Sequence, residues 1–176
     1  AAQLNGDEAA ARRYFEAMLE RPETAFLGLR GLLMQAQRDG DEGEALRLAA
    51  RARKLQPRTP WVLRTLFDLQ LKEGQWRPAL ATLEDAAKRG GLESGEAKRL
   101  RTIILLGCSQ EAEGLDDENN ALDFAKKAQR HAPDNLAATL RYTQLLAAAG
   151  KTGAVEKLAR EAWGRNPHPE LTQLYL

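Results

Sequence analysis

Gly40-Asp41-Glu42-Gly43-Glu44-Ala45-Leu46 has the pattern of a short turn followed by the start of a helix, and a similar phrase, Gly74-Gln75-Trp76-Arg77-Pro78-Ala79-Leu80, follows 34 residues later. Self-similarity at a short fixed period is typical of repeat proteins, in which each repeat is one small unit of secondary structure. The two phrases therefore predict a helical hairpin that recurs along the chain.

The register of the repeat is indicated by small residues and prolines. A unit that starts at Phe26 has Ala45 and Ala52 at its twentieth and twenty-seventh positions and Pro57 at its thirty-second, which is typical of the tetratricopeptide repeat, or TPR. Small side chains are needed there because the two helices cross closely, and proline ends the second helix. Ala, Leu, Glu and Arg dominate the composition, which favours helices over strands. We predict an all-α, TPR-type solenoid of helical hairpins, wound as a right-handed superhelix, with about nine or ten helices and no strands.

This register predicts the domain organisation. The chain forms one solenoid domain over residues 1–176, with a half-repeat at 7–20, repeats at 26–59, 60–101 (with an insertion), 102–135 and 136–169, and a truncated capping helix at 170–176. The second and third units are offset by 42 residues, eight more than the period. Eight residues make about two helical turns, which we place on the first helix of the third unit, roughly Ser94 to Glu113. The predicted N-cap residues are Asp7, Asp41, Thr59, Ser94, Asp116 or Asp117, and Asp134.

Charge and composition argue against several classes of partner. The 26 Lys and Arg residues nearly balance 25 Asp and Glu residues, so the net charge of +1 gives no reason to expect nucleic acid or direct contact with a membrane surface. The single cysteine, Cys108, excludes an intrachain disulfide framework. Apolar runs are too short to span a bilayer. The start at Ala1, without an initiator Met, leads us to expect a fragment of a longer protein.

Residues that carry chemistry elsewhere have structural interpretations here. Neither His131 nor His168 has a partner at metal-ligand spacing; we expect His131 to place a partial positive charge at a helix C-terminus and His168 to lie at a surface turn. We expect Cys108 to be a buried structural thiol. Glycines within predicted helices indicate close packing rather than a phosphate loop: Gly28, Gly31 and Gly107. We predict no catalytic, metal-binding or cofactor-binding residue, and no enzymatic activity.

The first helices of TPR units line the concave side of the solenoid, where their second, fifth, ninth and twelfth positions face a groove. A groove that interleaves Trp, Met, Leu and Arg has the composition of an interface hot spot. At Trp61 and Leu27 an alternative stays open, in which the side chains only close the packing between neighbouring hairpins. The predicted partner-binding residues are Leu27, Arg30, Met34, Gln37, Trp61, Arg64, Asp68, Leu71, Gln110 and Gln144.

Three segments together resemble one family: Phe26-Leu27-Gly28-Leu29-Arg30-Gly31-Leu32, Thr59-Pro60-Trp61-Val62-Leu63 with Phe67-Asp68-Leu69-Gln70, and Trp163 with His168-Pro169. They are similar to the C-terminal TPR region of proteobacterial HemY-type proteins, which are associated with haem biosynthesis. The resemblance implies a parent protein anchored in the inner membrane by upstream helices, with the repeat region at the cytoplasmic face, acting within the haem pathway.

The leading functional hypothesis is a non-catalytic scaffold that binds a partner protein or peptide in the concave groove. The resemblance adds haem-pathway enzymes as the expected partners. The alternatives are a carrier that binds haem or a precursor tetrapyrrole, with the groove or His131 as the contact, and a plain oligomerisation module that pairs through its terminal half-repeats.

Overall fold

The structure is a computed structural model that describes residues 7–88, 94–165 and 167–172. Within these ranges every regular element is a helix, as the composition predicts. The chain divides into two compact units, residues 1–75 and 76–176. The helices are α1 (Glu8–Met18), α2 (Pro22–Asp39), α3 (Glu42–Leu55), α4 (Pro60–Lys72), α5 (Trp76–Lys88), α6 (Ser94–Gly114), α7 (Glu118–His131), α8 (Leu136–Ala148), α9 (Thr152–Arg165) and α10 (Pro169–Thr172).

In the first unit, consecutive helices from α1 to α4 pack on one another around a core that includes Leu29, Leu33 and Val62. Ala45 and Ala52, the two small residues predicted at the helix crossing, are completely buried. The approach of α1 to α2 is closer still. A Cβ atom at Gly31 would lie 2.5 Å from the Phe15 ring, and one at Gly28 would lie 2.6 Å from the Phe15 carbonyl oxygen. The predicted close-packing role of both glycines is therefore confirmed.

The second unit continues the same pattern with consecutive packing from α5 to α10. Ala79, Ala121 and Ala128 are completely buried, whereas Ala86 is only half-buried. The helix α6 is 21 residues long, against 13 for α4 and for α8. The eight extra residues therefore lengthen α6 within one continuous helix, as predicted. A Cβ atom at Gly107, in the middle of α6, would collide with the Trp76 indole.

The turns after α2, α4, α6 and α8 share one backbone conformation, in which one residue has a positive φ angle. Gly40, Gly74 and Gly150 have φ values of 73°, 64° and 68°, and Asp116 has a φ of 55°. This left-handed conformation ends a helix at low cost in glycine, and Asp tolerates it better than most residues. These four positions are spaced by 34, 42 and 34 residues. The same turn thus follows each of these helices, and the longer spacing falls at the extended α6.

The N-cap residues predicted from the sequence are confirmed at three helices and corrected at two. Asp7, Asp41 and Asp117 each accept a hydrogen bond from the backbone three residues ahead, at 2.8, 2.9 and 3.2 Å. Before α8, however, the cap is Asn135 rather than Asp134: its Oδ1 accepts from the Ala138 amide at 2.9 Å. Adjacent Asp and Asn are equally good caps, so sequence alone does not choose between them.

Thr59 also differs from expectation. It occupies the N-cap position of α4, but its side chain makes no capping hydrogen bond. The hydroxyl instead donates to Gln56 Oε1 at 3.0 Å. Pro60 at the start of α4 fixes the helical φ angle and has no N–H, which reduces the need for a side-chain cap. The side chain of Ser94, the remaining predicted cap, lies outside the described residues.

Candidate protein-binding surfaces

One face of α2 carries both polar and apolar side chains and is exposed to solvent. Leu27, Arg30, Met34 and Gln37 are three or four residues apart, so they share a face of the helix, and all four are exposed. The exposed fractions of Leu27 and Met34 are 55% and 56%, which is high for large apolar side chains. The opposite face of α2 is buried in the core of the first unit. Helix α2 therefore presents two apolar side chains on either side of an arginine.

The helix α4 presents a second face with the same spacing. Arg64 and Asp68 are exposed and form an ion pair, with 3.2 Å between Arg64 Nε and Asp68 Oδ2. Trp61 and Leu71 are half-buried on the same face. Because Arg64 already has Asp68 as a partner, the charge of this face is largely compensated within the protein.

Trp61 connects the two helices. The Arg30 guanidinium carbon lies 5.5 Å from the centroid of the Trp61 ring, within the range of a cation–π interaction. The Phe26 and Trp61 ring centroids are 5.6 Å apart and tilted by 49°. Trp61 also packs against the core of the first unit. We refer to Leu27, Arg30, Met34, Trp61 and Arg64 as the α2–α4 surface.

Phe26 was not among the predicted surface residues. Its position before Leu27 in an apolar run favours the core, and only the structure shows that its ring contacts Trp61. The two interpretations of Trp61 thus combine, because one side of the ring closes the packing of α2 against α4 and the residue is still partly accessible.

The remaining predicted binding residues lie in the second unit. Gln110 on α6 and Gln144 on α8 are both exposed. On the same face of α6, Ile103 is 48% exposed, and Glu113 pairs with Arg141 at 2.8 Å. The two predicted binding residues of this unit are therefore polar, in contrast to Leu27 and Met34 on α2.

Arg141 belongs to a polar network that links α6, α7 and α8. The sequence did not predict this network. Its Nε donates to Ser109 Oγ at 3.0 Å and its terminal nitrogen donates to the Ser109 carbonyl at 3.1 Å. The Ser109 hydroxyl in turn donates to the Ala121 carbonyl at 2.8 Å. A serine in a predicted helix does not by itself indicate a buried hydrogen bond, because its hydroxyl can either face solvent or bond to the backbone.

The cysteine and histidines have structural environments. Cys108 is completely buried. Burial, assisted by the Glu111 charge, raises the pKa of its thiol to about 11. This confirms the expected structural thiol. At His168, Nδ1 accepts from the Glu170 amide at 3.3 Å, at the start of α10.

His131 is at the end of α7, as predicted, but the expected positive charge there is wrong. Burial, and then the charges of Arg101 and Lys98, lower the pKa of His131 from its ordinary value. The favourable field of a helix C-terminus is weaker than the combined effect of desolvation and two neighbouring cations. His131 Nε2 is buried and has no hydrogen-bond partner within the described residues.

No group of three or more His, Cys, Asp or Glu side chains arranged to hold a metal ion occurs in the part of the chain that the structure describes. Over the same residues, no helix combines the length and the apolar character needed to cross a membrane.

Comparisons with known proteins concern the helical fold. No protein-family model matches the chain, and a search of curated proteins finds no significant match. Among solved structures, the chain is similar to TTC0263, a thermophilic TPR protein of Thermus thermophilus, with 25% identity over 86% of this chain and 81% of that one and a TM-score of 0.41. It is similar to YrrB, described as a TPR protein with an unusual peptide-binding site, with 14% identity, coverage of 89% and 77% and a TM-score of 0.45. A third similar structure is MamA, with 13% identity, coverage of 93% and 91% and a TM-score of 0.48.

Proposed function

We propose that the chain is a non-catalytic scaffold that binds a partner protein through the α2–α4 surface. The observation that carries this proposal is the exposure of Leu27 and Met34 on either side of Arg30, whose side chain covers the ring of Trp61. Exposed apolar side chains grouped around an aromatic ring and arginine have the composition of an interface hot spot. Scattered single apolar residues on a surface have no such meaning.

The chemistry of the surface favours an amphipathic segment of the partner. Apolar side chains of the partner would contact Leu27 and Met34, and a carboxylate or carbonyl group would reach Arg30. A chaperone-type clamp for a C-terminal carboxylate is disfavoured, because Met34 and Asp68 occupy positions where that clamp needs neutral polar donors. An internal helix or extended segment is therefore the preferred ligand.

The test compares proteins recovered by the tagged chain and by matched variants, quantified by mass spectrometry and confirmed with the purified partner. Met34→Lys and Arg30→Glu change the α2–α4 surface. Their controls on α3 are Leu55→Lys, at a side chain that is 51% exposed, and Arg51→Glu, at an exposed arginine.

A partner that binds through this surface is lost with Met34→Lys and Arg30→Glu, with affinity reduced at least about tenfold, and is retained with both controls. A partner retained by all four variants, or lost equally with the controls, contradicts the proposal. Circular dichroism must show the same helix content in all four variants.

The resemblance to HemY-type proteins supports a finer proposal, that the partners are haem-pathway enzymes and that the parent protein is located at the cytoplasmic face of the inner membrane. Affinity purification of the full-length parent, followed by identification of the recovered proteins, tests this part separately. Recovery of partners that have no connection to tetrapyrrole synthesis would contradict the finer proposal and leave the scaffold proposal standing.

The alternatives are tested on the same protein. A tetrapyrrole carrier requires a saturable shift of the haem Soret band, and an axial bond to His131 would require its buried Nε2 to become accessible. An oligomerisation module requires a mass in solution that is a multiple of the chain mass. We favour the scaffold because its candidate residues are already exposed.

A further inference from the structure

A basic cleft lies in the second unit and shares no residue with the α2–α4 surface. It consists of two adjoining cavities of about 470 and 270 Å³ formed by α5, α6 and α7. The two cavities share Glu84, Arg101 and His131 in their walls. Leu80, Leu105 and Phe124 contribute apolar surface to the larger cavity. The cleft is therefore a groove with an apolar lining, wide enough for a side chain from another molecule.

Charge is distributed unevenly around this cleft. Four cationic side chains line it, against the single carboxylate of Glu84: Lys98, Arg101, Lys127 and Arg130. This excess contrasts with a net charge of only +1 for the whole chain. Two of the four cations are already paired, since Arg101 donates to Glu84 at 2.8 Å and Lys127 Nζ lies 2.7 Å from Asp123 Oδ2. Arg130 has no ion-pair partner within the described residues and remains available to an anion.

His131 adds an unsatisfied polar atom at the wall common to both cavities. Its Nε2 is buried without a hydrogen-bond partner among the residues that the structure describes. Because this atom is buried, a molecule in the cleft reaches it only if the side chain moves, and the binding proposed below does not depend on it.

We propose that this cleft binds an acidic peptide segment of a partner protein, with one large apolar side chain seated against Leu80, Leu105 and Phe124 and flanking carboxylates paired with Arg130 and Lys98. Charge complementarity selects the acidic residues, and the apolar lining selects the anchor between them. Lys127 lies above the Phe124 ring, with its Nζ 5.5 Å from the centroid, and its charge is already paired with Asp123. The scaffold function proposed for the α2–α4 surface does not depend on this second site.

The test is a fluorescence-anisotropy titration of the full chain with a labelled peptide of about 12 residues that has a central Leu-Phe pair flanked by Asp and Glu. Two control peptides replace either the acids by Asn and Gln or the Leu-Phe pair by Ser. We expect saturable binding of the first peptide and at least about tenfold weaker binding of each control peptide, because charge and anchor are both required.

Two protein variants carry the same charge change at different places. Arg130→Glu alters the cleft, and Arg160→Glu alters an exposed arginine of α9 that does not line it. We expect Arg130→Glu to weaken binding about tenfold and Arg160→Glu to leave it unchanged. Lys98→Glu is the second cleft variant, should Arg130→Glu reduce the helix content measured by circular dichroism.

Three results would overturn the proposal. They are absence of saturable binding, equal weakening by the cleft variants and Arg160→Glu, and equal competition by a single-stranded oligonucleotide of matched charge. The second result would indicate non-specific attraction, and the third would assign the cleft to polyanions in general rather than to an acidic peptide.

Discussion

Replacing Gly28 by alanine should separate α1 from α2, because no side-chain movement can relieve the contact that it creates. The new Cβ would lie 2.6 Å from the Phe15 carbonyl oxygen and 3.0 Å from both Leu19 Cδ2 and Met18 Cβ. Ordinary van der Waals contact begins at 3.4 Å, so the backbone of α1 must retreat by about 0.8 Å. The perturbation therefore acts on helix packing rather than on one side chain.

The magnitude follows from two opposing terms. Overpacking a well-packed contact costs roughly 1–3 kcal/mol. Alanine recovers about 1 kcal/mol of helix propensity relative to glycine. We therefore expect Gly28→Ala to lower the free energy of unfolding by up to about 2 kcal/mol. Gly164→Ala on α9 is the control, because nothing lies within 4 Å of its added Cβ; it should be neutral or slightly stabilising.

Urea denaturation followed by circular dichroism measures the change in stability, and hydrogen exchange locates it. Because α1 packs chiefly against α2, the amides of α1 should exchange faster in Gly28→Ala than in the wild type, with no such change in Gly164→Ala. If Gly28→Ala is more stable than the wild type by about 1 kcal/mol, as helix propensity alone predicts, the close approach of these two helices is wrong.

Three further predictions concern the second unit. Ser109→Ala should lower the free energy of unfolding by about 1–3 kcal/mol, because it removes the two hydrogen bonds that the buried hydroxyl makes with Arg141 Nε and the Ala121 carbonyl; unchanged urea denaturation would contradict this. His131 has a folded-state pKa below its ordinary 6.5, so between the two values the unfolded chain binds more protons. Its contribution to stability is complete above pH 6.5 and is lost as the pH falls from that value through the folded-state pKa, and His131→Gln should flatten this part of the urea-midpoint profile. Cys108, with a thiol pKa of about 11, should resist a maleimide reagent near neutral pH until the protein is unfolded by urea, whereas fast labelling of the native chain would show that the thiol is accessible.

The sequence was sufficient for features that follow from local patterns and from a fixed period. The 34-residue spacing of Gly40 and Gly74 indicated a repeated turn, and the small residues Ala45 and Ala52 indicated the helix crossing, because both depend on position within the repeat. The long α6 followed from the same counting, since the second and third units are offset by eight residues more than the period and eight residues make about two helical turns.

Features made by side chains from several helices could not be predicted in this way. Arg141 reaches Ser109 across 32 residues of sequence, and Arg130 and Arg101 meet at one cleft because α6 and α7 pack side by side. Their spacing within a helix shows which residues share a face, but not which residues of another helix lie opposite. The reversed expectation for His131 has the same origin, because the two cations that oppose its charge come from α6.

The residues of the α2–α4 surface differ in how much they contribute to the fold. This difference decides which substitution measures partner binding without also disturbing folding. Trp61 packs against the core of the first unit as well as against Phe26 and Arg30, so its truncation would remove buried contacts together with any partner contact. Arg30 contributes to the fold mainly through the Trp61 ring, an interaction worth about 0.5–1 kcal/mol at an exposed site. Met34 is more than half exposed and contributes still less to the core. Loss of a partner after Arg30→Glu or Met34→Lys therefore indicates recognition, whereas the same loss after Trp61→Ala would not distinguish recognition from folding.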